Sequence, residues 1–154
     1  MLSEEEKILI EREMLKFPVK SAASIEALKI VQDKHRWVSD ESMTEVAEIL
    51  EMPVTELENV ASFYNLIFRK PVGRHVILLC DSVSCYVMGY EGIMTLLNKK
   101  LGISFGETTE DDRFTLLPIQ CLGNCDHAPT MMIDNDLYGD LTAEKIDGIL
   151  QKYK

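Results

Sequence analysis

The four cysteines of this chain fall into two closely spaced pairs, Cys80 with Cys85 and Cys121 with Cys125. Each pair follows a short apolar run of the kind that forms a buried strand, Val76–Leu79 before the first and Leu116–Ile119 before the second. Two loops that leave the ends of neighbouring strands can bring four thiolates to one point. The spacing therefore predicts a four-cysteine metal site.

Several kinds of cysteine chemistry compete for this pattern. A disulfide scaffold needs an oxidising compartment, and the acidic start Met1–Glu6 lacks the basic and apolar regions of an export signal. A redox-active dithiol normally has the C-x-x-C spacing, which neither pair has. Structural zinc and a [2Fe–2S] cluster both accept four thiolates at these spacings. Spacing alone leaves those two open.

The elements that must position these loops change character near residue 70. Residues 1–70 predict a small helical bundle, because capping signals precede apolar residues at helical spacing. Ser3 with Glu6 starts one helix and Ser39 starts another, while Thr55 with Glu58 forms a capping-box pattern after Pro53. We expect the aromatic residues near the end of this segment to pack inward; they are Phe63, Tyr64 and Phe68.

Residues 71–154 predict an α/β (α+β) domain with the order strand, helix, strand, strand, helix. A strand–helix–strand unit favours a parallel strand pair, and Asp134–Asp136 predicts the turn of an antiparallel hairpin. This arrangement resembles a reduced thioredoxin-like fold. Cys85 falls at the start of the predicted helix, where amide dipoles favour a thiolate.

A resemblance to a known family distinguishes between structural zinc and a [2Fe–2S] cluster. The run Cys121–Pro129, the upstream C-x4-C, the Gly106–Thr109 loop and Ser62–Tyr64 with Phe68 occur in the order found in one family. Together they resemble the small iron–sulfur subunit of NADH:quinone oxidoreductase, respiratory complex I. Relatives of that subunit serve as diaphorase subunits of NAD-linked hydrogenases and formate dehydrogenases. The resemblance covers the chain from about residue 20 to its end.

The resemblance implies the fold, the cofactor and the partners. It implies an N-terminal helical bundle followed by a thioredoxin-like [2Fe–2S] ferredoxin domain, with one cluster held by Cys80, Cys85, Cys121 and Cys125. It also implies a flavoprotein partner that binds FMN and NADH, so that this chain carries single electrons and catalyses no bond chemistry itself. Gln120 and Asp112 depart from the residues that the family often has, but neither is a ligand position. A zinc-stabilised interaction module is the alternative of another class.

The amino-acid composition argues against a nucleic acid partner and against a membrane span. The net charge of −10 divides equally between residues 1–70 and residues 71–154, at −5 each. An acidic surface repels phosphate backbones, so we expect no nucleic acid partner. No apolar run suggests a membrane span, and we expect a cytoplasmic protein that is peripheral to the inner membrane through its parent complex.

Three residues of the second cysteine loop carry further expectations. His127 is expected to be a polar loop residue and not a ligand, because four cysteines already complete the set. Pro129, which precedes a predicted strand, is a candidate for a cis peptide bond. Gly123 should let backbone N–H groups approach a cysteine sulfur.

Overall fold

The computed structural model describes all residues from 1 to 154, which divide into two compact units, Met1–Pro71 and Val72–Lys154. The division falls next to the Pro71–Gly73 segment, where the sequence pattern changes from helical to strand-like. The assignment of these units as two domains, 1–70 and 71–154, stays a prediction.

The first unit consists of four α-helices and one short 3₁₀ turn. The helices are α1 (Glu4–Met14), α2 (Ser24–His35), α3 (Asp40–Ile49) and α4 (Val54–Phe63), with the turn at Lys20–Ala23. Their inward faces form one apolar core that includes Ile10, Leu28, Met43, Leu50 and Leu57. The predicted helical bundle is therefore present in its number of helices and in its buried faces.

Two of the three expected helix starts have the capping geometry that the sequence predicts. The Ser3 hydroxyl accepts a hydrogen bond from the Glu6 N–H at 3.3 Å, while the Glu6 carboxylate accepts one from the Ser3 N–H at 2.8 Å. Ser39 accepts from the Ser42 N–H at 3.1 Å. The capping box at Thr55 and Glu58 is wrong, because α4 already begins at Val54 after Pro53 and no side chain caps it.

The inward packing expected of the aromatic residues is also wrong for Phe63 and Tyr64, whereas Phe68 is half-buried. Phe63 is 82% exposed and Tyr64 is 43% exposed. Leu57 and Ala61 define the buried face of this helix, and Phe63 lies about 200° around the axis from Ala61. Phe63 therefore points to solvent, where its ring makes an edge contact with Tyr64.

The second unit is a four-stranded mixed sheet with three helices. The strands are β1 (His75–Cys80), β2 (Phe114–Ile119), β3 (Met131–Ile133) and β4 (Asp136–Tyr138), and the helices are α5 (Val83–Val87), α6 (Tyr90–Leu101) and α7 (Ala143–Leu150). The strand order is β2-β1-β3-β4. Apolar residues of the strands form one core with Ile93 and Leu97 of α6 and Ile146 and Ile149 of α7.

The topology follows the sequence-based prediction. Strands β1 and β2 are parallel, and α6 lies in the connection between them. Strand β3 runs antiparallel to β1 and continues into β4 through a tight hairpin in which Asp134 adopts a left-handed conformation with φ of 52°. An aspartate tolerates that conformation better than a branched residue does. None of the helices combines the length and the apolar character of a membrane-spanning segment.

Candidate metal centre

The two cysteine loops leave the same edge of the sheet because β1 and β2 are parallel. Cys80 is the last residue of β1 and is in register with Ile119, the last residue of β2. Cys121 follows two residues later, and the Asp81 N–H donates to the Ile119 carbonyl at 3.0 Å. The strand register thus places the starts of both loops side by side.

The first pair is buried. Cys80 ends the central strand and Cys85 lies within α5, and their thiols hydrogen-bond to each other. Burial, reinforced by the neighbouring Cys80, raises the pKa of Cys85 to about 11. Burial also acts to raise the pKa of Cys80, but backbone N–H groups of Ser82 and Leu122 donate to its sulfur and lower that pKa overall. The raised pKa of Cys85 runs against the expectation that its place near a helix start favours the thiolate.

The second pair is exposed. The sulfurs of Cys121 and Cys125 lie 3.8 Å apart, and the Gly123 N–H donates to the Cys121 sulfur at 3.3 Å. Gly123 has φ of 71°, which is the reason for a glycine here, since the space around its Cα is open. The hydrogen bond with Cys121 and the charge of that neighbour raise the pKa of Cys125. The expected role of Gly123 is confirmed.

Contacts between the loops bring the two pairs together. The Leu122 N–H of the second loop donates to the sulfur of Cys80, and the Ser84 hydroxyl of α5 hydrogen-bonds to the sulfur of Cys125. No set of three or more His, Cys, Asp or Glu side chains is arranged to hold a single metal ion. A [2Fe–2S] cluster takes two thiolates on each of two irons. Two neighbouring thiol pairs at one sheet edge fit that donor requirement.

Thr130 connects both loops, and the sequence analysis missed it. Its buried hydroxyl lies 3.0 Å from the carbonyl of His127 and 3.3 Å from that of Asn124, within the second loop. Its own carbonyl accepts from the Cys80 N–H at 3.1 Å, and its backbone N–H donates to the Cys85 sulfur. A threonine at the start of a short strand carries no sequence signal for such a role.

Gly139 is a second residue that sequence reasoning missed. A Cβ at this position would lie 2.6 Å from Cβ of His127 and 2.7 Å from Nδ2 of Asn124. Real Cβ atoms do not approach other atoms so closely. The absence of a side chain at Gly139 therefore lets the residue after β4 pack directly against the loop that carries Cys125.

His127 and Pro129 complete the second loop. The His127 ring nitrogens face two carboxylates, with Nδ1 2.9 Å from Asp140 and Nε2 3.5 Å from Asp126. The hydrogen bond with Asp140 and the charges of both aspartates raise the pKa of His127. Its imidazole is thus engaged on both sides, as expected for a polar loop residue. The Ala128–Pro129 peptide bond is cis.

Curated relatives match the chain over nearly its full length. The E subunit of NADH-quinone oxidoreductase from Escherichia coli is 54% identical over 153 residues, covering 99% of this chain and 92% of the relative. The protein of the same name from Pseudomonas aeruginosa is 50% identical with the same coverage. These values exceed by far the likeness that a shared fold alone would give.

A solved structure and a family model agree with these relatives. The structure of an NAD⁺-reducing [NiFe]-hydrogenase in its air-oxidised state is 26% identical with a TM-score of 0.70, over 81% of this chain. This chain spans only 22% of that hydrogenase chain. The model of the thioredoxin-like [2Fe–2S] ferredoxin family matches residues 10–154. The chain therefore belongs to the thioredoxin-like [2Fe–2S] ferredoxin family, and its curated relatives place it among the E subunits of NADH-quinone oxidoreductases.

Proposed function

We propose that this chain is the one-electron carrier subunit of an NADH-quinone oxidoreductase, with Cys80, Cys85, Cys121 and Cys125 as the ligands of one [2Fe–2S] cluster. The observation that carries the proposal is that the two thiol pairs follow the ends of two paired parallel strands in a chain of this family. When bound, such a cluster accepts and releases one electron at a time.

In this proposal the backbone around the sulfurs stabilises the negative charge of the cysteine ligands. Backbone N–H groups of Ser82, Leu122 and Thr130 point at the buried pair, and that of Gly123 points at the exposed pair. Each donor stabilises negative charge on sulfur. Burial keeps water from Cys80 and Cys85, whereas Cys121 and Cys125 face the surface, where an electron can enter or leave.

The proposal also includes a flavoprotein subunit as the partner of this chain. The chain has no glycine-rich phosphate-binding motif after a strand, so we place FMN and NADH on a flavoprotein subunit of the same complex. Hydride transfer then takes place on that flavoprotein and single electrons reach this chain. A position at the cytoplasmic face of the inner membrane, reached only through the parent complex, stays a prediction.

The test is electron paramagnetic resonance of the anaerobically purified chain after dithionite reduction, with iron, sulfide and zinc measured on the same sample. We expect two irons, two sulfides and close to one spin-half signal per chain. Single replacements of each cysteine by serine should lower the iron content, and Ser104→Ala, in the loop after α6, should not. Stoichiometric zinc without a signal would support a structural zinc module and overturn the proposal.

A second candidate is the equivalent diaphorase subunit of an NAD-linked hydrogenase. The likeness to the NAD⁺-reducing [NiFe]-hydrogenase favours it. The complex that is purified through a tag on this chain separates the two functions. NADH-dependent quinone reduction supports the first, and hydrogen-dependent reduction of NAD⁺ supports the second.

A further inference from the structure

Two serine hydroxyls lie beside the cysteine sulfurs, in addition to the backbone N–H groups. Ser82 and Ser84 both belong to the segment between the first two cysteines, with Ser82 directly before α5 and Ser84 within it. The hydroxyl oxygen of Ser82 lies 3.7 Å from the sulfur of Cys80. The hydroxyl of Ser84 hydrogen-bonds to the sulfur of Cys125. Each thiol pair therefore has one serine hydroxyl in contact with one of its sulfurs.

A hydroxyl beside a metal-bound sulfur can act only as a donor. A free thiol can donate its own proton, and the thiol of Cys80 donates to the Ser82 oxygen in this way. A cysteine that binds a metal has lost that proton, so its sulfur only accepts. A serine hydroxyl rotates about its C–O bond and can turn its proton towards the sulfur. Ser82 and Ser84 are thus both placed to donate to ligand sulfurs.

Ser82 does not act as a side-chain cap of α5. It occupies the N-cap position with the extended backbone typical of a cap, but its side chain makes no capping hydrogen bond. The contact of its hydroxyl is with sulfur. Ser84 has a wider reach, because it lies in α5 whereas Cys125 belongs to the other loop. Its hydroxyl therefore also joins the two cysteine loops.

We infer that Ser82 and Ser84 raise the midpoint potential of the cluster by donating hydrogen bonds to ligand sulfurs, one in each thiol pair. Reduction adds one electron, which the flavoprotein supplies in the proposed complex and dithionite supplies in the test. Donors near sulfur stabilise the additional negative charge, so they favour the reduced form over the oxidised form. The inference rests on the proposed function, because it takes Cys80 and Cys125 to be ligands.

The test is a redox titration of the paramagnetic signal of the full chain with its cluster. We expect Ser82→Ala and Ser84→Ala each to lower the equilibrium constant for reduction by a factor of about three to ten, as for the loss of one hydrogen bond. This factor corresponds to about 30–60 mV, at about 59 mV per tenfold for one electron. Ser104→Ala, the matched control in the exposed loop after α6, should keep the potential of the unchanged chain.

Three further measurements separate hydrogen-bond donation from a structural effect. Ser82→Thr keeps the hydroxyl and should keep the potential. Pulsed paramagnetic resonance in heavy water should detect fewer deuterons coupled to the cluster when Ser82 and Ser84 are both replaced by alanine than in Ser104→Ala. Ser84→Ala should also lose the cluster's visible absorbance faster in the presence of a chelator, because it removes a contact between the loops, whereas Ser82→Ala should not.

The outcomes distinguish this inference from the proposed function. A missing paramagnetic signal in the unchanged chain would refute the proposed function, and this inference with it. With that signal present, an unchanged potential in either alanine variant would overturn the inference alone. A potential in Ser82→Thr as low as that of Ser82→Ala would also overturn it. Equal rates of cluster loss in the two alanine variants would overturn the role of Ser84 between the loops.

Discussion

The imidazole Nε2 of His35, the last residue of α2, lies 2.8 Å from Oε1 of Glu6, whose side chain is only 1% exposed in the helical unit. The other carboxylate oxygen accepts hydrogen bonds from the Ser3 N–H at 2.8 Å and from the Ser3 hydroxyl at 2.6 Å. One carboxylate thus caps α1 and joins it to α2. Burial acts to raise the pKa of Glu6, but the hydrogen bonds from Ser3 and the contact with His35 lower it overall.

This lowered pKa makes the stability of the helical unit depend on pH. Because the folded-state pKa of Glu6 is below its unfolded value, its contribution is fully present above the ordinary glutamate pKa of about 4.3 and is lost as the pH falls through the folded value. We expect Glu6→Gln to lower the free energy of unfolding at pH 7 by about 1–2 kcal/mol. The same variant should lose less stability than the unchanged chain between pH 5 and pH 3, as measured by denaturant titration followed by circular dichroism.

Glu11→Gln is the matched control, because it makes the same change at an exposed position of the same helix. It should leave both the stability at pH 7 and its pH dependence close to those of the unchanged chain. An equal loss of stability in the two variants would show that the buried contact of Glu6 with Ser3 and His35 contributes nothing specific.

Gly139 and Gly148 provide a contrasting pair in the second unit. A methyl group at Gly139 would collide with His127 and Asn124, whereas nothing lies within 4 Å of a Cβ at Gly148. We expect Gly139→Ala to displace the Cys125 loop and to lower the iron bound per chain. Gly148→Ala lies in the exposed face of α7 and should keep the iron and raise stability by about 0.5–1 kcal/mol. Iron analysis and thermal melting check both outcomes, and equal iron in the two variants would contradict a role for Gly139.

Thr130→Val tests the residue that connects the cysteine loops. Valine has nearly the same shape but cannot donate to the carbonyls of Asn124 and His127, so a hydrogen bond worth about 1–3 kcal/mol is lost in a buried place. We expect faster loss of the cluster's visible absorbance on incubation with a chelator. Thr44→Val, at an exposed position of α3, is the control and should keep the rate of the unchanged chain. Identical rates in both variants would assign the stability of the second loop to its backbone alone.

The sequence predicted those parts of the fold that local patterns determine. The helix starts at Ser3 and Ser39, the parallel pair of β1 and β2, and the hairpin at Asp134 all follow from capping residues, periodicity and turn chemistry. The family assignment was also predictable, because the cysteine spacing and the Cys121–Pro129 run are carried by the chain itself and are confirmed by the family model.

The wrong and missing predictions concern burial and pKa shifts, which depend on tertiary contacts. The exposure of Phe63 depends on which face of α4 meets its neighbours, and the aromatic type of the residue carries no information about that. Burial acts to raise the pKa of both Cys80 and Cys85; the N–H groups of Ser82 and Leu122 outweigh it at Cys80, whereas the N–H of Thr130 does not outweigh it at Cys85. Leu122 and Thr130 lie far from the first cysteine pair in the sequence, so no local pattern could reveal them.

The charge of Asp126, which adjoins Cys125, should disfavour the addition of an electron to the bound cluster. Its carboxylate lies 3.5 Å from Nε2 of His127, a contact that offsets part of this charge whenever the imidazole is protonated. Both groups are exposed to solvent, which screens them further. We expect Asp126→Asn to raise the midpoint potential by about 10–30 mV, measured by redox titration of the paramagnetic signal at low ionic strength.

Glu110→Gln is the matched control for this charge effect, because Glu110 lies in the exposed loop after α6, away from both cysteine pairs. It removes one negative charge as well and should leave the midpoint potential unchanged. Higher salt should reduce the shift caused by Asp126→Asn, since screening weakens interactions between exposed charges. An unchanged or lowered potential in Asp126→Asn, with the cluster intact, would show that the loop dipoles and His127 compensate the aspartate completely.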